Sequence, residues 1–388
     1  MEISTCVKYV GVNDHQVDLF EGQYKVPNGM SYNSYVILDE KIAVMDTVDG
    51  FFTEEWLNNV EQVLDGKMPD YLVIQHMEPD HSASIPAFLK KYPNATVVST
   101  AKGFQFMEQF FPEFFAGQGL PAEQRIVAAN DGVLELGQHS LHFVYAPMVH
   151  WPEVMMTYEA TEKILFAADG FGKFGALDVE EEWADEARRY YIGIVGKYGP
   201  QVQAVLKKTA GLDIQTICSL HGPVLKENLG FYLEKYDKWS SYQPEESGVV
   251  IAYASVYGNT RNAAEYLADV LHEKGQKTVL YDLARCDKAK AVADAFRYDR
   301  LVLAGITYNG DLFPCMRSFI EGLTERNYQN RKVAIIENGT WAPMAGKLIL
   351  GMFEKSKNLT FTETKVSIKS AMNAQNKEEI GKLAEELS

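Results

Sequence analysis

Four potential metal ligands fall within six positions in His76-Met77-Glu78-Pro79-Asp80-His81. They follow Tyr71-Leu72-Val73-Ile74, an apolar run that reads as a buried strand. In an extended loop, side chains at 76, 78 and 80 can face one pocket while 81 turns to its other side. Three further candidates lie just past predicted strands: His150 before Trp151-Pro152, Asp169 between Ala168 and Gly170, and His221 before Gly222-Pro223. Each alone reads as a polar turn residue. Together with the loop they make a set of seven, too many for one tetrahedral ion. Two metals are therefore implied, with Asp169 best suited to bridge them. Four neutral imidazoles and three carboxylates leave two divalent ions nearly neutralised. Iron suits this nitrogen and oxygen mixture and has the redox change that zinc lacks. The four cysteines, Cys6, Cys218, Cys286 and Cys315, include no C-x-x-C pair, so a zinc ribbon, a rubredoxin-type site or a thioredoxin motif is excluded.

A second constellation lies later in the chain. The strand Val249–Ala254 runs into Ser255-Val256-Tyr257-Gly258-Asn259-Thr260, then into a helix predicted from Asn262 to Leu271. Hydroxyls and backbone N–H groups at a helix N-terminus form a phosphate loop. Without G-K-[ST] it disfavours a nucleoside triphosphate, and without G-x-G-x-x-G a dinucleotide. Two more loops follow later strands: Gly305-Ile306-Thr307-Tyr308-Asn309-Gly310, and Glu337 followed by Asn338-Gly339-Thr340-Trp341-Ala342-Pro343. Their amides can hydrogen-bond a planar ligand ring, and Tyr308 or Trp341 can stack on it. The competing reading makes Trp341 a core aromatic.

The elements that must position these residues divide in two. The polar stretch Ser240 to Gly248 reads as a linker, separating residues 1–247 from 248–388. Before it, Tyr35–Leu38 and Ile42–Met45 predict a hairpin, Glu54–Leu64 and Ile85–Lys91 helices, and Ala95–Val98, His142–Tyr145, Ile164–Ala167 and Thr216–Ser219 strands: a layered α/β domain. After it, strands at Val249–Ala254, Thr278–Tyr281, Leu301–Ala304, Lys332–Glu337 and Thr362–Ile368 alternate with helices. That pattern fits a doubly wound parallel sheet of flavodoxin type. A chain of 388 residues supports two such cores. Its net charge of −16 argues against nucleic acid and anionic membrane as partners. No run is long and apolar enough to span a bilayer, and Met1 to Asn13 lacks a signal pattern, so a cytoplasmic location is expected.

The first loop resembles the H-x-H-x-D-H signature of the metallo-β-lactamase fold, with Glu78 in place of the second histidine. The H-x-E-x-D-H form, with the later His, Asp and His, resembles the diiron site of flavodiiron proteins, and Ser255 to Thr260 resembles the flavodoxin FMN-phosphate loop. The resemblance spans nearly the whole chain. It implies a metallo-β-lactamase-like αββα domain over 1–247 and a flavodoxin-like FMN domain over 248–388, without the rubredoxin domain that longer relatives append. It implies that His76, Glu78 and His150 bind one iron, that Asp80, His81 and His221 bind the other, and that Asp169 lies between. It further implies reduction of dioxygen to water or of nitric oxide to nitrous oxide, with FMN as electron source. The external donor would be a rubredoxin or a reduced deazaflavin coenzyme, and the assembly a head-to-tail homodimer or a dimer of such dimers. Tyr198 is a candidate hydrogen-bond donor over the metal pocket by the same resemblance. Some relatives carry a histidine soon after a phenylalanine near the irons, where this chain has Glu21 after Phe20. Asp46 reads either as a turn residue or as a partner of a ligand, and His15, His139, His142 and His272 as surface or packing residues. Two rival functions remain at this point: a zinc hydrolase of the same fold, which Glu78 and the flavin loops oppose, and an electron carrier with a vestigial metal domain, which the complete ligand set opposes.

Overall fold

The computed structural model describes residues 3–117 and 120–388. The chain divides into two compact units. The first comprises Met1–Tyr191 and Pro200–Tyr236; the second comprises Ile192–Gly199 and Asp237–Ser388.

The first unit is a pair of facing sheets. One has six strands in the order Val7–Tyr9, Tyr35–Ile37, Ala43–Met45, Tyr71–Val73, Thr96–Ser99 and Arg125–Val127. Its first two pairings are antiparallel and the other three parallel. The other sheet runs Val133–Glu135, Ser140–Tyr145, Met155–Glu159, Ile164–Phe166 and Thr216–Cys218, antiparallel except for the last pair. Val7, Ile37, Met45 and Val73 of one sheet pack with Leu141, Phe143, Met155 and Phe166 of the other in a single buried cluster. Burial of this apolar face, at about 25 cal/mol per Å², holds the layers together. Helices such as Thr53–Leu64 and Ile85–Lys91 flank the sheets. Trp56, Val60 and Leu64 bury one stripe of the former, and Asp65 ends it in a left-handed conformation.

The second unit is a parallel sheet in the order Thr278–Asp282, Glu246–Tyr253, Tyr298–Tyr308, Lys332–Asn338, then Thr360–Phe361 and Val366–Ile368. Counted by position this is the 2-1-3-4-5 flavodoxin order. Val249, Ile251, Val302 and Ile336 meet Ala263, Leu267 and Leu271 of the helix Asn259–Glu273 and Ile380 and Leu383 of Ala374–Glu386.

Three sequence expectations need correction. The strand expected from Val249 begins at Glu246, so the connection after the helix Leu229–Ser240 is shorter than the stretch Ser240 to Gly248. The helix expected from Asn262 begins at Asn259, because Gly258 takes φ +91° and turns the chain directly into its first turn. The last strand is not continuous from Thr362: the amides of Glu363 and Thr364 bond the Glu386 carboxylate at 2.7 and 2.9 Å instead of a neighbouring strand.

Candidate metal centre and cofactor cleft

The seven candidate ligands lie beyond strand ends at one edge of the first unit. His76 follows Tyr71–Val73, His150 follows Ser140–Tyr145, Asp169 follows Ile164–Phe166 and His221 follows Thr216–Cys218. The loop at 76–81 is not extended throughout. Glu78 is the extended residue before a helical turn, Pro79–Ser82, whose first position Pro79 occupies. That turn carries Asp80 and His81 away from His76 and Glu78. Thr47 fixes it by donating its backbone N–H and hydroxyl to the His81 carbonyl at 3.0 and 2.7 Å. Asp169 is set by a tight turn in which Ala168 adopts φ +48°, held by the Leu220 amide on the Ala168 carbonyl at 2.8 Å.

The side chains form two adjoining groups. Ligand atoms of His76, Glu78, His150 and Asp169 lie within 4.8 Å of one another, as do those of Asp80, His81 and His221. Asp169 divides its oxygens: Oδ2 is 3.4 Å from His76 Nε2 and 3.2 Å from His150 Nε2, and Oδ1 is 3.4 Å from His81 Nε2 and 3.8 Å from His221 Nε2. Glu78 Oε2 lies 3.0 Å from His150 Nε2 and 3.3 Å from His76 Nε2. His81 Nε2 and His221 Nε2 approach to 3.0 Å and both face Asp80 Oδ2 at 3.3 Å.

Residues outside the ligand set orient it. His76 Nδ1 donates to Glu153 Oε1 at 2.7 Å, and His221 Nδ1 donates to the Ser31 carbonyl at 2.7 Å. Each contact directs the other ring nitrogen, Nε2, into the cluster as a lone pair. Asp46 acts through the neighbouring residue: it accepts the Gln75 backbone and side-chain N–H at 2.7 and 2.8 Å, fixing the position before His76. Burial pushes its carboxyl up to about 6 against those bonds. Phe20, Tyr32 and Tyr190 surround His221 at ring distances of 5.4, 6.1 and 5.4 Å, and Trp151 meets His76 edge-on at 5.3 Å.

The electrostatics test whether cations fit. Both oxygens of Asp80 and both of Asp169 are buried without a hydrogen-bond partner. A carboxylate so placed is costly unless a positive charge faces it. Without a metal, only protonated imidazoles can supply it. Burial opposes protonation of His150, but the neighbouring Asp169 and Glu78 carboxylates outweigh burial and push it up to about 9. Burial likewise works against the Glu78 carboxylate, yet His150 and His76 hold it below its usual range. The carboxylates thus draw protons onto the imidazoles of the metal-free cluster, and two divalent ions bound there would supply that positive charge instead.

Tyr198 is the tyrosine expected over the metal pocket; Tyr190 carries no expectation. Tyr198 lies half-buried on the turn Gly196–Tyr198, within the segment that groups with the second unit rather than with the ligands. Tyr190, at the end of the helix Trp183–Tyr190, packs on His221 instead. Burial, then the charges of Asp169, Glu78 and Asp80, keep its phenol protonated far above the ordinary range. Glu21 also reaches the centre. Much of its surface is exposed, but desolvation of its carboxyl end and the charge of Glu78 push it up to about 7. Glu153 and Tyr190 had no sequence signal, since neither stands in a ligand-spaced motif.

In the second unit a cleft of about 730 Å³ opens at the carboxyl ends of the strands. Ser255, Val256, Tyr257, Asn259 and Thr260 line one side. Thr307, Tyr308, Asn309 and Gly310 line another, and Asn338, Gly339, Thr340 and Trp341 a third. Gly258 does not line it but caps the helix, its amide donating to Ser255 Oγ at 3.2 Å. Trp341 is 82% exposed, which excludes the core-aromatic reading. Ser370, missed in the sequence, joins the wall after the last strand and exchanges backbone bonds with the Asn338 side chain at 2.8 and 3.1 Å. Helix-terminal amides, small hydroxyls and exposed rings fit a flavin mononucleotide.

Comparison with known proteins follows the same division. The family described as ODP family beta lactamase matches residues 30–222, and the Flavodoxin domain family matches 250–363. Among solved structures, the chain is similar to the flavodiiron protein from Giardia intestinalis, with 26% identity and a TM-score of 0.92 over 100% of this chain and 95% of that one. It is similar to the rubredoxin oxygen:oxidoreductase of the anaerobe Desulfovibrio gigas, with 25% identity and a TM-score of 0.91 over 99% and 96%. It is 28% identical over 355 residues to an anaerobic nitric oxide reductase flavorubredoxin of Vibrio vulnificus, covering 88% of this chain and 70% of that protein.

Proposed function

The chain belongs to the flavodiiron proteins, and we propose that it is an oxidoreductase reducing dioxygen to water, nitric oxide to nitrous oxide, or both. The observation that carries this is the pair of adjoining ligand groups, with the Asp169 oxygens divided between them and facing the imidazoles of both. His76, Glu78 and His150 would hold one iron, Asp80, His81 and His221 the other, and Asp169 would be shared. Bound there, two irons and one FMN supply up to four electrons, enough for one dioxygen to two waters, while coupling two nitric oxides needs two.

The chain's own residues prepare the site. Glu153 and Ser31 fix the tautomers of His76 and His221. Phe20, Tyr32 and Trp151 pack rings around the imidazoles and keep bulk water out. Tyr190, held protonated, can donate a hydrogen bond to a small substrate; we assign it the role first considered for Tyr198. In the cleft, the Ser255–Thr260 loop would hold the FMN phosphate, and Tyr308 and Trp341 would flank the ring. A rubredoxin or a reduced deazaflavin coenzyme would be the donor. The assembly would be a head-to-tail homodimer or a dimer of such dimers. A cytoplasmic location agrees with the charge of −16 and with the absence, among the described residues, of a helix long and apolar enough to cross a membrane.

Steady-state consumption of both gases by fully reduced protein tests the proposal, alongside metal and flavin analysis. Iron, FMN and gas turnover are expected. Zinc with thioester hydrolysis and no turnover of either gas would replace it with the hydrolase reading.

A further inference from the structure

The opposite end of the first unit holds another set of metal-ligating side chains. Cys6 Sγ and one ligand atom each from His139 and Glu162 lie within 4.8 Å of one another. Cys6 immediately precedes the strand Val7–Tyr9, His139 precedes Ser140–Tyr145 and Glu162 lies just before Ile164–Phe166. The diiron ligands follow the other ends of strands in these sheets; Glu162 and Asp169 flank the same strand. The two sites are therefore separated by at least the length of that strand, about 10 Å.

The set has the features of a built site. His139, read from the sequence as a surface or packing residue, is only 5% exposed. Its backbone N–H and Nδ1 both donate to Asp39 Oδ2, at 2.7 and 2.9 Å, and Asp39 is itself buried against it. This carboxylate–imidazole contact leaves Nε2 as the nitrogen free to ligate, as behind the histidine ligands of metal sites. Glu162 Oε2 is buried with no hydrogen-bond partner. The three loops are fixed to one another: the Leu38 amide bonds the Cys6 carbonyl at 2.9 Å, and Thr161 Oγ1 bonds the Gln138 carbonyl at 2.9 Å.

We propose that Cys6, His139 and Glu162 bind a zinc ion, with water as fourth ligand, that clasps the N-terminal strand of the first sheet to two turns of the second. One thiolate, one imidazole and one carboxylate form a donor set suited to zinc. Small side-chain rotations contract the observed spacing to that of ligands about 2.0–2.3 Å from a tetrahedral ion. The proposal does not depend on the diiron reading, because no cysteine belongs to that centre.

The test is alkylation. Full-length protein, washed with chelator and reloaded with iron and FMN, is treated with iodoacetamide with and without added Zn²⁺, and each cysteine is followed by peptide mass spectrometry. Zinc should slow modification of Cys6 by at least about tenfold, since a metal-bound thiolate is a poor nucleophile. The half-buried Cys286 and Cys315 of the second unit should react at unchanged rates. His139→Gln and Glu162→Gln should abolish the protection. If zinc leaves the Cys6 rate unchanged in the parent, or protects it equally in His139→Gln, the site does not exist.

Discussion

Replacing Glu153 should loosen the metal centre without removing a ligand. Its Oε1 receives the His76 Nδ1 hydrogen at 2.7 Å and the Met77 amide hydrogen at 2.9 Å, and the residue is 2% exposed. In Glu153→Gln the amide oxygen can keep both contacts, and the amide nitrogen takes the place of Oε2, which has no partner. What is lost is the charge. A hydrogen bond to a charged group contributes about 1.5–3 kcal/mol and a neutral one about 0.5–1.5, so the change is about 1–1.5 kcal/mol, or roughly tenfold in iron affinity. Glu153→Ala removes the acceptor, leaves the Met77 N–H buried and unpaired, and frees His76 to change tautomer; the loss should approach about a hundredfold. The assay is competition against a chelator, with iron counted by mass spectrometry and bound FMN as a control for folding. Iron held as tightly in both variants as in the parent would refute the reasoning that Glu153 sets the donor nitrogen of His76.

Thr260 is buried at the cleft, its hydroxyl 3.3 Å from Asn338 Nδ2, so Thr260→Ala should weaken FMN binding by about 1–3 kcal/mol in a flavin-fluorescence titration; an unchanged Kd would contradict the phosphate-loop assignment. Glu78→His restores the hydrolase-type loop and removes one negative charge from the ligand set, so metal analysis should find less iron and more zinc, with gas reduction lost and FMN retained; two irons and normal turnover would show that Glu78 does not select the metal. In metal-free protein, His150 is raised from 6.5 to about 9. Its contribution to stability is present below its unfolded pKa and lost as pH rises through about 9. The Tm of metal-free protein should therefore fall between those pH values, and less so in His150→Gln; equal declines would remove His150 as the cause.

The candidate set was legible because its members lie beyond apolar runs of strand type, and because four potential ligands in six residues have few structural explanations. The flavin loops were legible for the same reason: parallel strands place their carboxyl ends at one edge. What could not be read was set by tertiary contact. Met155–Glu159 is buried along its whole length, including Glu159, so its polar residues disguise a central strand. Glu153 and Asp39 act on histidines 77 and 100 positions away. Tyr190 reaches His221 only because its helix packs there, and no spacing distinguishes it from Tyr198. The helical turn at Pro79–Ser82 was hidden by a ligand pattern that an extended loop satisfies equally well.

The central claim, that a diiron centre fed by FMN reduces a gas, is tested most directly by counting electrons. Protein carrying two irons and one FMN per chain is fully reduced without air, then titrated with dioxygen and, separately, with nitric oxide. The account predicts, for at least one gas, four electrons per dioxygen with no hydrogen peroxide released, or two electrons per nitrous oxide formed. Peroxide equal to the dioxygen consumed, together with nitric oxide left unreacted, would mean that the flavin acts alone and would contradict it.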